Sequence, residues 1–197
     1  MNKEKWTENV ILADADHVDN VAFDLTVNFE RMLGRRIPQA DMAQWAECVA
    51  LDGGLREGEH EVQIILIHKN QNKQMKNFVP SNYDEELNGK AFRGRLGEFT
   101  ITAVQTEEMV SKADLLLDTL HLICQQKEVK RLMVIAPDEM MDGVRQILRR
   151  LDSDNRHTTV FTMQPTQGGS FRQELLGYSL MAALGISAKE IDDKLNK

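Results

Sequence analysis

The sequence is poor in cysteine and has no long apolar run, and both absences narrow the class of protein. Its 197 residues include two cysteines, Cys48 and Cys124, which lie within apolar patterns and are interpreted as small buried residues. No group of cysteines and histidines has the spacing of a zinc site. No apolar stretch is long enough for a membrane helix, and residues 1–6 lack the apolar segment of a signal peptide. A cytoplasmic location without a membrane partner is therefore expected.

An excess of positive charge is also missing. The formal net charge is −7, which disfavours a nonspecific nucleic-acid coat protein, because such proteins are basic. A nuclease remains compatible with this charge, since an acidic catalytic cleft can have a basic rim. Four arginines are the candidate contacts to an RNA backbone: Arg93, Arg95, Arg145 and Arg149. Solvated surface is the alternative explanation for each of them.

Short apolar runs alternate with amphipathic stretches along most of the chain. Strands are predicted at residues 10–13, 48–51, 62–68, 99–104, 132–136 and 158–163. Helices are predicted at residues 18–33, 39–47, 108–126, 140–151 and 170–184, with a last short one after Ser187. This alternation predicts an α/β fold, a Rossmann-like three-layer sandwich with a mostly parallel central sheet. Residues 1–165 are the predicted α/β domain, and residues 166–197 a C-terminal helical extension packed on it.

Acidic residues follow two of the predicted strands. Asp14 and Asp16 come after the strand at 10–13, and Asp138 comes after the strand at 132–136. The carboxyl ends of parallel strands form one crevice, where ligands bind. Carboxylates gathered there repel each other unless a hard cation such as Mg²⁺ or Mn²⁺ lies between them. The pattern therefore indicates metal-assisted phosphoryl chemistry, with helix capping by aspartate as the alternative explanation.

A second acidic pair lies on the predicted helix at 108–126. Asp114 and Asp118 are four residues apart and share one face of that helix. Two like charges at this spacing disfavour an isolated helix, so the pair is interpreted either as solvated surface or as half of a cation site. Capping accounts for Asp14 or Asp138, and it accounts less well for this pair.

The order of these acidic motifs resembles the NYN branch of the PIN-like nuclease superfamily. A strand precedes Asp14-x-Asp16, a helix carries Lys112-x-Asp114-x-x-x-Asp118, and a further strand precedes Asp138. The resemblance covers roughly residues 9–163 and implies a Rossmann-like fold with metal-dependent cleavage of RNA. It also implies one or two bound Mg²⁺ or Mn²⁺ ions, with all five aspartates as metal ligands and with Asp14, Asp114 and Asp138 as catalytic residues.

Two positions depart from the family pattern. His17 stands where the family commonly has asparagine, and Met140 stands where the last motif usually has its second aspartate. The second departure motivates a non-enzymatic alternative, an inactive PIN-like module for binding or assembly. In that case the apolar helix predicted at 170–184 is a candidate interface for a homo-oligomer, although core packing is the commoner role for such a stripe.

A second enzyme family shares part of the pattern. The first acidic motif resembles the nucleophile motif of haloacid-dehalogenase-like phosphatases, which implies an aspartyl-phosphate on Asp14. Lys112 resembles that family's lysine, and Asp138 with Asp142 resembles its acidic metal-binding motif. The phosphate-binding serine or threonine of the family has one weak counterpart, Thr106, which lies only a few residues before Lys112.

A glycine-rich segment is a weaker candidate for anion binding. Gly168-Gly169-Ser170 precedes the helix predicted at 170–184, and a helix N-terminus attracts anions. A plain loop with Ser170 as the N-cap is the alternative. No segment resembles a phosphate-binding P-loop or a dinucleotide-binding glycine motif.

Overall fold

The computed structural model describes residues 5–151 and 155–197. In this part of the chain the helices are α1 (Ala15–Leu33), α2 (Met42–Asp52), α3 (Lys112–Cys124), α4 (Met141–Leu151), α5 (Leu176–Ala183) and α6 (Ala188–Leu195). The strands are β1 (Asn9–Asp14), β2 (Ala40–Asp41), β3 (His60–His68), β4 (Phe78–Val79), β5 (Ala91–Gly94), β6 (Gly97–Gln105), β7 (Arg131–Ile135), β8 (His157–Thr162) and β9 (Arg172–Leu175). A π-helical turn (Tyr83–Leu87) and a 3₁₀ turn (Asp138–Met140) complete the set.

Seven of the strands form one sheet in the order β5-β6-β3-β1-β7-β8-β9. All neighbours in this sheet are parallel except β5 and β6, and β2 pairs with β4 separately. The prediction of an α/β fold with a mostly parallel sheet is confirmed. The chain proceeds from β1 towards β6 on one side and from β7 towards β9 on the other. The direction of winding therefore changes between β1 and β7, which leaves a crevice at their carboxyl ends.

The apolar run that forms β1 supplies both faces of the sheet. Ile11 and Ala13 belong to the core beneath α1, α2 and α5. Val10 and Leu12 belong to the core beneath α3 and α4. Successive side chains of a strand point to opposite faces, and a strand covered on both faces needs apolar residues at every position. Helices therefore cover both faces of the sheet, and the fold has three layers.

The strand predicted at residues 48–51 is wrong, because these residues lie inside α2. Trp45 and Val49 are four residues apart and both are buried, as are Ala46 and Ala50. This is the spacing of a helix face rather than of a strand. The helix predicted at 39–47 therefore starts later and continues to Asp52.

The helix predicted at residues 170–184 is also wrong over its first part. Arg172–Leu175 is β9, which pairs in parallel with β8 at one edge of the sheet, and α5 starts at Leu176. Residues 166–197, predicted as a helical extension, therefore contribute a strand to the central sheet as well as two helices. The predicted cap of the last helix is confirmed, since the Ser187 hydroxyl accepts the N–H of Glu190 at 3.2 Å.

Candidate functional site

Asp14 ends β1 at the crevice between β1 and β7, and its side chain is fully buried (0 % exposed). Its Oδ1 accepts the N–H of His17 at 3.0 Å, so Asp14 is the N-cap of α1. The same oxygen lies 2.9 Å from the Nζ of Lys112. Its Oδ2 is buried without a hydrogen-bond partner among the described residues. Asp14 therefore has the capping role and is also a buried carboxylate that depends on a nearby cation.

Lys112 contacts both aspartates of the first acidic motif. Besides the contact to Asp14, its Nζ lies 3.2 Å from Oδ2 of Asp16, and its side chain is only 17 % exposed. Lys112 is the first residue of α3, and Ser111 caps that helix by accepting the N–H of Asp114. The ammonium group thus takes the position between two carboxylates that a bridging metal ion would need.

Asp16 and Asp19 hold the segment after β3 against α1. Asp16 accepts the N–H of Lys69 at 2.9 Å and the side-chain amide of Asn72 at 2.6 Å, one on each oxygen. Asp19 accepts the N–H of Lys76 at 2.9 Å and that of the next residue at 2.8 Å. Both carboxylates therefore satisfy backbone donors of a segment that has little regular structure. The role of Asp19 has no signal in the sequence.

The acidic pair on α3 does not join Asp14. Asp114 and Asp118 are exposed. Asp114 accepts the hydroxyl of Ser111 at 2.6 Å, which is a local arrangement at the helix start. Across residues 5–151 and 155–197, no three His, Cys, Asp or Glu side chains are grouped so that they could hold a metal ion. With Lys112 between the first two carboxylates, the residues do not fit the divalent metal centre that the sequence predicts.

Asp138 lies on the other side of the crevice, in the 3₁₀ turn after β7, and is exposed. Burial lowers the pKa of the His17 imidazole below its usual 6.5, while the negative charges of Asp14, Asp138 and Glu139 act in the opposite direction. These charges place Asp138 within electrostatic reach of His17. The fold thus brings Asp14, His17 and Asp138 to one crevice, and burial there favours the uncharged imidazole.

Two adjoining cavities open beside this crevice, with volumes of about 580 and 260 Å³. We call them the carboxyl-edge cleft, and Lys69 and Lys112 line both. Further lining residues are Lys76, Asn20, Asn70, Gln71, Asn72, Gln74, Asp16, Asp19, Glu107 and Glu108. Lys69 and Lys76 are exposed, and neither has an ion-pair partner in the described part of the chain. The cleft thus offers free ammonium groups together with amide side chains that donate and accept hydrogen bonds.

Two of the predicted RNA contacts lie at the other end of the sheet. Arg93 is opposite Glu98 at the amino end of β6, whereas Asp14 is level with Val104 near its carboxyl end. At about 3.3 Å per residue, the two levels are roughly 20 Å apart. Arg95 is in the turn between β5 and β6, and each of these arginines pairs with a glutamate. Arg93 and Arg95 therefore do not join the carboxyl-edge cleft.

The other two predicted RNA contacts, Arg145 and Arg149, lie on α4. They line a cavity of about 310 Å³ together with Gly169, Ser170 and Phe171. This cavity shares no lining residue with the carboxyl-edge cleft. The four arginines are thus divided between two separate regions.

The residues specific to the phosphatase alternative do not converge on Asp14 either. Thr106 follows β6, and β3 separates that strand from β1. Its hydroxyl accepts the N–H of Asn70 at 3.2 Å. The side chain of Asp142 is 92 % exposed and lies 3.6 Å from Arg145. The lysine contact to Asp14 is the feature that supports that alternative most directly.

An aromatic stack beside the cleft has no clear signal in the sequence. The rings of His68, at the end of β3, and Tyr83 stack with their centroids 3.7 Å apart, and both residues are buried. Burial raises the pKa of the Tyr83 phenol, and the charges of Asp16, Asp19 and Asp14 raise it further. Tyr83 therefore stays protonated beside the acidic residues. It lies in the segment 69–96, for which the sequence predicts neither a helix nor a strand.

Comparison with known proteins identifies the family. A family model described as "Family of unknown function (DUF6621)" matches residues 3–191. The chain belongs to this family. Among curated proteins and among solved structures, the comparisons found no match. In the described residues, no helix has both the length and the apolar character needed to cross a bilayer.

Proposed function

We propose that this DUF6621 chain is a PIN/NYN-like domain that binds single-stranded RNA without cleaving it. The observation that carries the proposal is the position of Lys112, with Nζ 2.9 Å from Asp14 and 3.2 Å from Asp16. A magnesium ion binds oxygens at about 2.0–2.1 Å and needs several of them. It cannot share this position with an ammonium group. Lys112 therefore supplies the positive charge that the buried carboxylate needs.

A second observation also favours the loss of catalysis. Met140, which stands at the second acidic position of the last motif, is buried in the core beneath α3 and α4. An apolar side chain in a core contributes packing and offers no ligand to a metal. Asp114 and Asp118 face solvent on α3. Three of the acidic positions of the family pattern are thus committed to packing or to the surface.

The carboxyl-edge cleft supports RNA as the ligand. Lys69 and Lys76 have no carboxylate partner among the described residues, so their ammonium groups are available to phosphate oxygens. The amides of Asn70, Gln71 and Gln74 can hydrogen-bond the edges of unpaired bases. The acidic residues Asp16 and Asp19, by contrast, are occupied by the N–H groups of the segment after β3.

Two measurements test this proposal together. Calorimetry with Mn²⁺ should give no binding up to millimolar metal for the native protein. Fluorescence anisotropy with a single-stranded RNA should show binding that persists in EDTA and leaves the RNA intact. The variant Lys69→Met/Lys76→Met should weaken RNA binding, whereas Lys5→Met/Lys127→Met, with the same charge change outside the cleft, should not. Failure of the native protein to bind RNA would contradict the RNA ligand.

The second candidate is a metal-dependent ribonuclease, as the resemblance alone implies. The observation in its favour is the buried Oδ2 of Asp14, which lacks a partner among the described residues. For this candidate, micromolar Mn²⁺ binding and RNA cleavage should both be present in the native protein. Both should be lost in Asp14→Asn/Asp138→Asn. That result would replace the first proposal.

A further inference from the structure

The cavity between α4 and the segment before β9 has features of an anion site. Arg145, Arg149, Gly169, Ser170 and Phe171 line it, and its volume is about 310 Å³. No carboxylate is among these residues. We call this space the α4 cavity, and two arginines of α4 line it together.

The two guanidinium groups have few partners of their own. Nε of Arg145 is buried and makes no hydrogen bond in the described part of the chain. Its ion pair with Asp142 is long, at 3.6 Å, and the aspartate is 92 % exposed, so water weakens the interaction. The side chain of Arg149 makes neither a hydrogen bond nor an ion pair among residues 5–151 and 155–197. A buried donor left unpaired costs free energy, which an acceptor in the cavity would recover.

The opposite wall adds backbone donors. Gly169 has a φ of 127°, and a Cβ there would lie 2.7 Å from the ring of Phe171. Glycine therefore allows the chain to pass close to the ring. In the described part of the chain, the N–H groups of Gly169 and Ser170 have no acceptor. Two arginines thus line the same cavity as a stretch of backbone whose N–H groups are unpaired among the described residues, and no carboxylate is part of the lining.

We propose that the α4 cavity binds a phosphate monoester, the terminal phosphate of a small molecule such as a nucleotide. Two arginines match the charge of a phosphate dianion, and the guanidinium group is suited to contact two phosphate oxygens at once. The volume lies at the lower end of the range of small-molecule sites. This site is distinct from the carboxyl-edge cleft, and the inference does not depend on the RNA-binding proposal.

Calorimetry on the full chain at constant ionic strength tests the inference. The probes are inorganic phosphate, adenosine 5′-monophosphate, adenosine and citrate. We expect the monophosphate to bind and adenosine not to bind. Tighter binding of the monophosphate than of inorganic phosphate identifies a nucleotide as the source, and equal binding identifies the free anion. Binding of citrate in place of both phosphates, or no binding of either phosphate at millimolar concentration, overturns the proposal.

Three variants locate the binding. Arg145→Gln and Arg149→Gln should each weaken phosphate binding by about tenfold or more, since each removes a charge-assisted hydrogen-bond donor. Arg150→Gln is the matched control, because Arg150 is the exposed neighbour outside the cavity. Arg149 is exposed, so its variant remains informative if Arg145→Gln fails to fold. Equal binding by Arg149→Gln and Arg150→Gln would show that the phosphate binds elsewhere.

Discussion

The ammonium group of Lys112 lies 2.9 Å from the buried carboxylate of Asp14, and this contact joins the start of α3 to the end of β1. Both residues are largely or fully removed from solvent. In such a place the attraction between the charges is strong, and so is the cost of leaving either one alone. The contact therefore ties the layer of α3 to the centre of the sheet.

Removing the charge of Lys112 should destabilise the fold. We expect Lys112→Met to lower the free energy of unfolding by about 3 kcal/mol, because it leaves Asp14 buried and unpaired. Adding Asp14→Asn to this variant should recover part of the loss. Lys130→Met, at an exposed lysine, is the control. Urea unfolding measures all four proteins, and a loss for Lys112→Met no larger than the control would contradict the role of the pair.

Mutation of Asp19 should loosen the segment after β3. Asp19→Ala removes the acceptor of the N–H groups of Lys76 and Asn77, and a hydrogen bond to a charged group contributes about 1.5–3 kcal/mol. We expect faster hydrogen exchange at those two amides. Asp24→Ala, at an exposed position of the same helix, should leave their exchange unchanged. Equal exchange in the two variants would show that the segment is held by other contacts.

His17 should make stability depend on pH. Since burial lowers its pKa in the folded protein, the unfolded chain binds a proton more readily. The free energy of unfolding should therefore rise with pH between the lowered folded-state pKa and about 6.5. As the pH falls through this same range, the contribution of His17 should be lost. His17→Gln should remove this component, and the exposed His157→Gln should keep it. Identical pH profiles for the native protein and His17→Gln would count against it.

Two glycines should respond in opposite directions to alanine. At Gly97 the φ is 122°, and a Cβ would lie 2.0 Å from the carbonyl oxygen of His60, so Gly97→Ala should cost about 3 kcal/mol or more. At Gly177, in α5, a Cβ would meet nothing within 4 Å, so Gly177→Ala should stabilise the fold by about 0.5 kcal/mol. Thermal unfolding of both variants checks this pair. A tolerated alanine at position 97 would show that β3 and β6 can separate there.

The elements that sequence patterns predict well are those in which buried apolar residues recur at a regular spacing. The apolar run of β1 requires a covered strand, and the repeat of buried positions on α3 requires a helix, whatever else the chain does. The segment Arg172–Leu175 has no such pattern, and it is a strand because β8 offers it an edge. Its conformation depends on pairing with β8, and the sequence of the segment alone does not indicate this pairing.

In the candidate site, too, some features follow from local sequence and others depend on distant parts of the chain. The strand ends place Asp14 and Asp138 at one crevice, and the sequence predicts this from the rule for parallel sheets. The direction of the Lys112 side chain depends on the packing of α3, so the pairing with Asp14 and Asp16 becomes visible only in three dimensions. For Asp114 and Asp118, the sequence predicts that they share one helix face. It leaves open whether that face meets solvent or a metal ion, and the structure shows that both side chains are exposed.

The sheet ends on both sides in strands of four residues, β5 and β9. Each strand exposes only a few unpaired backbone groups to a neighbouring molecule. Each also carries an arginine, Arg93 in β5 and Arg172 in β9. Short charged edges discourage the edge-to-edge growth of sheets that leads to aggregates and fibrils. We therefore expect the folded chain not to aggregate through its sheet edges at high concentration. Any self-association should use helical surfaces rather than added strands.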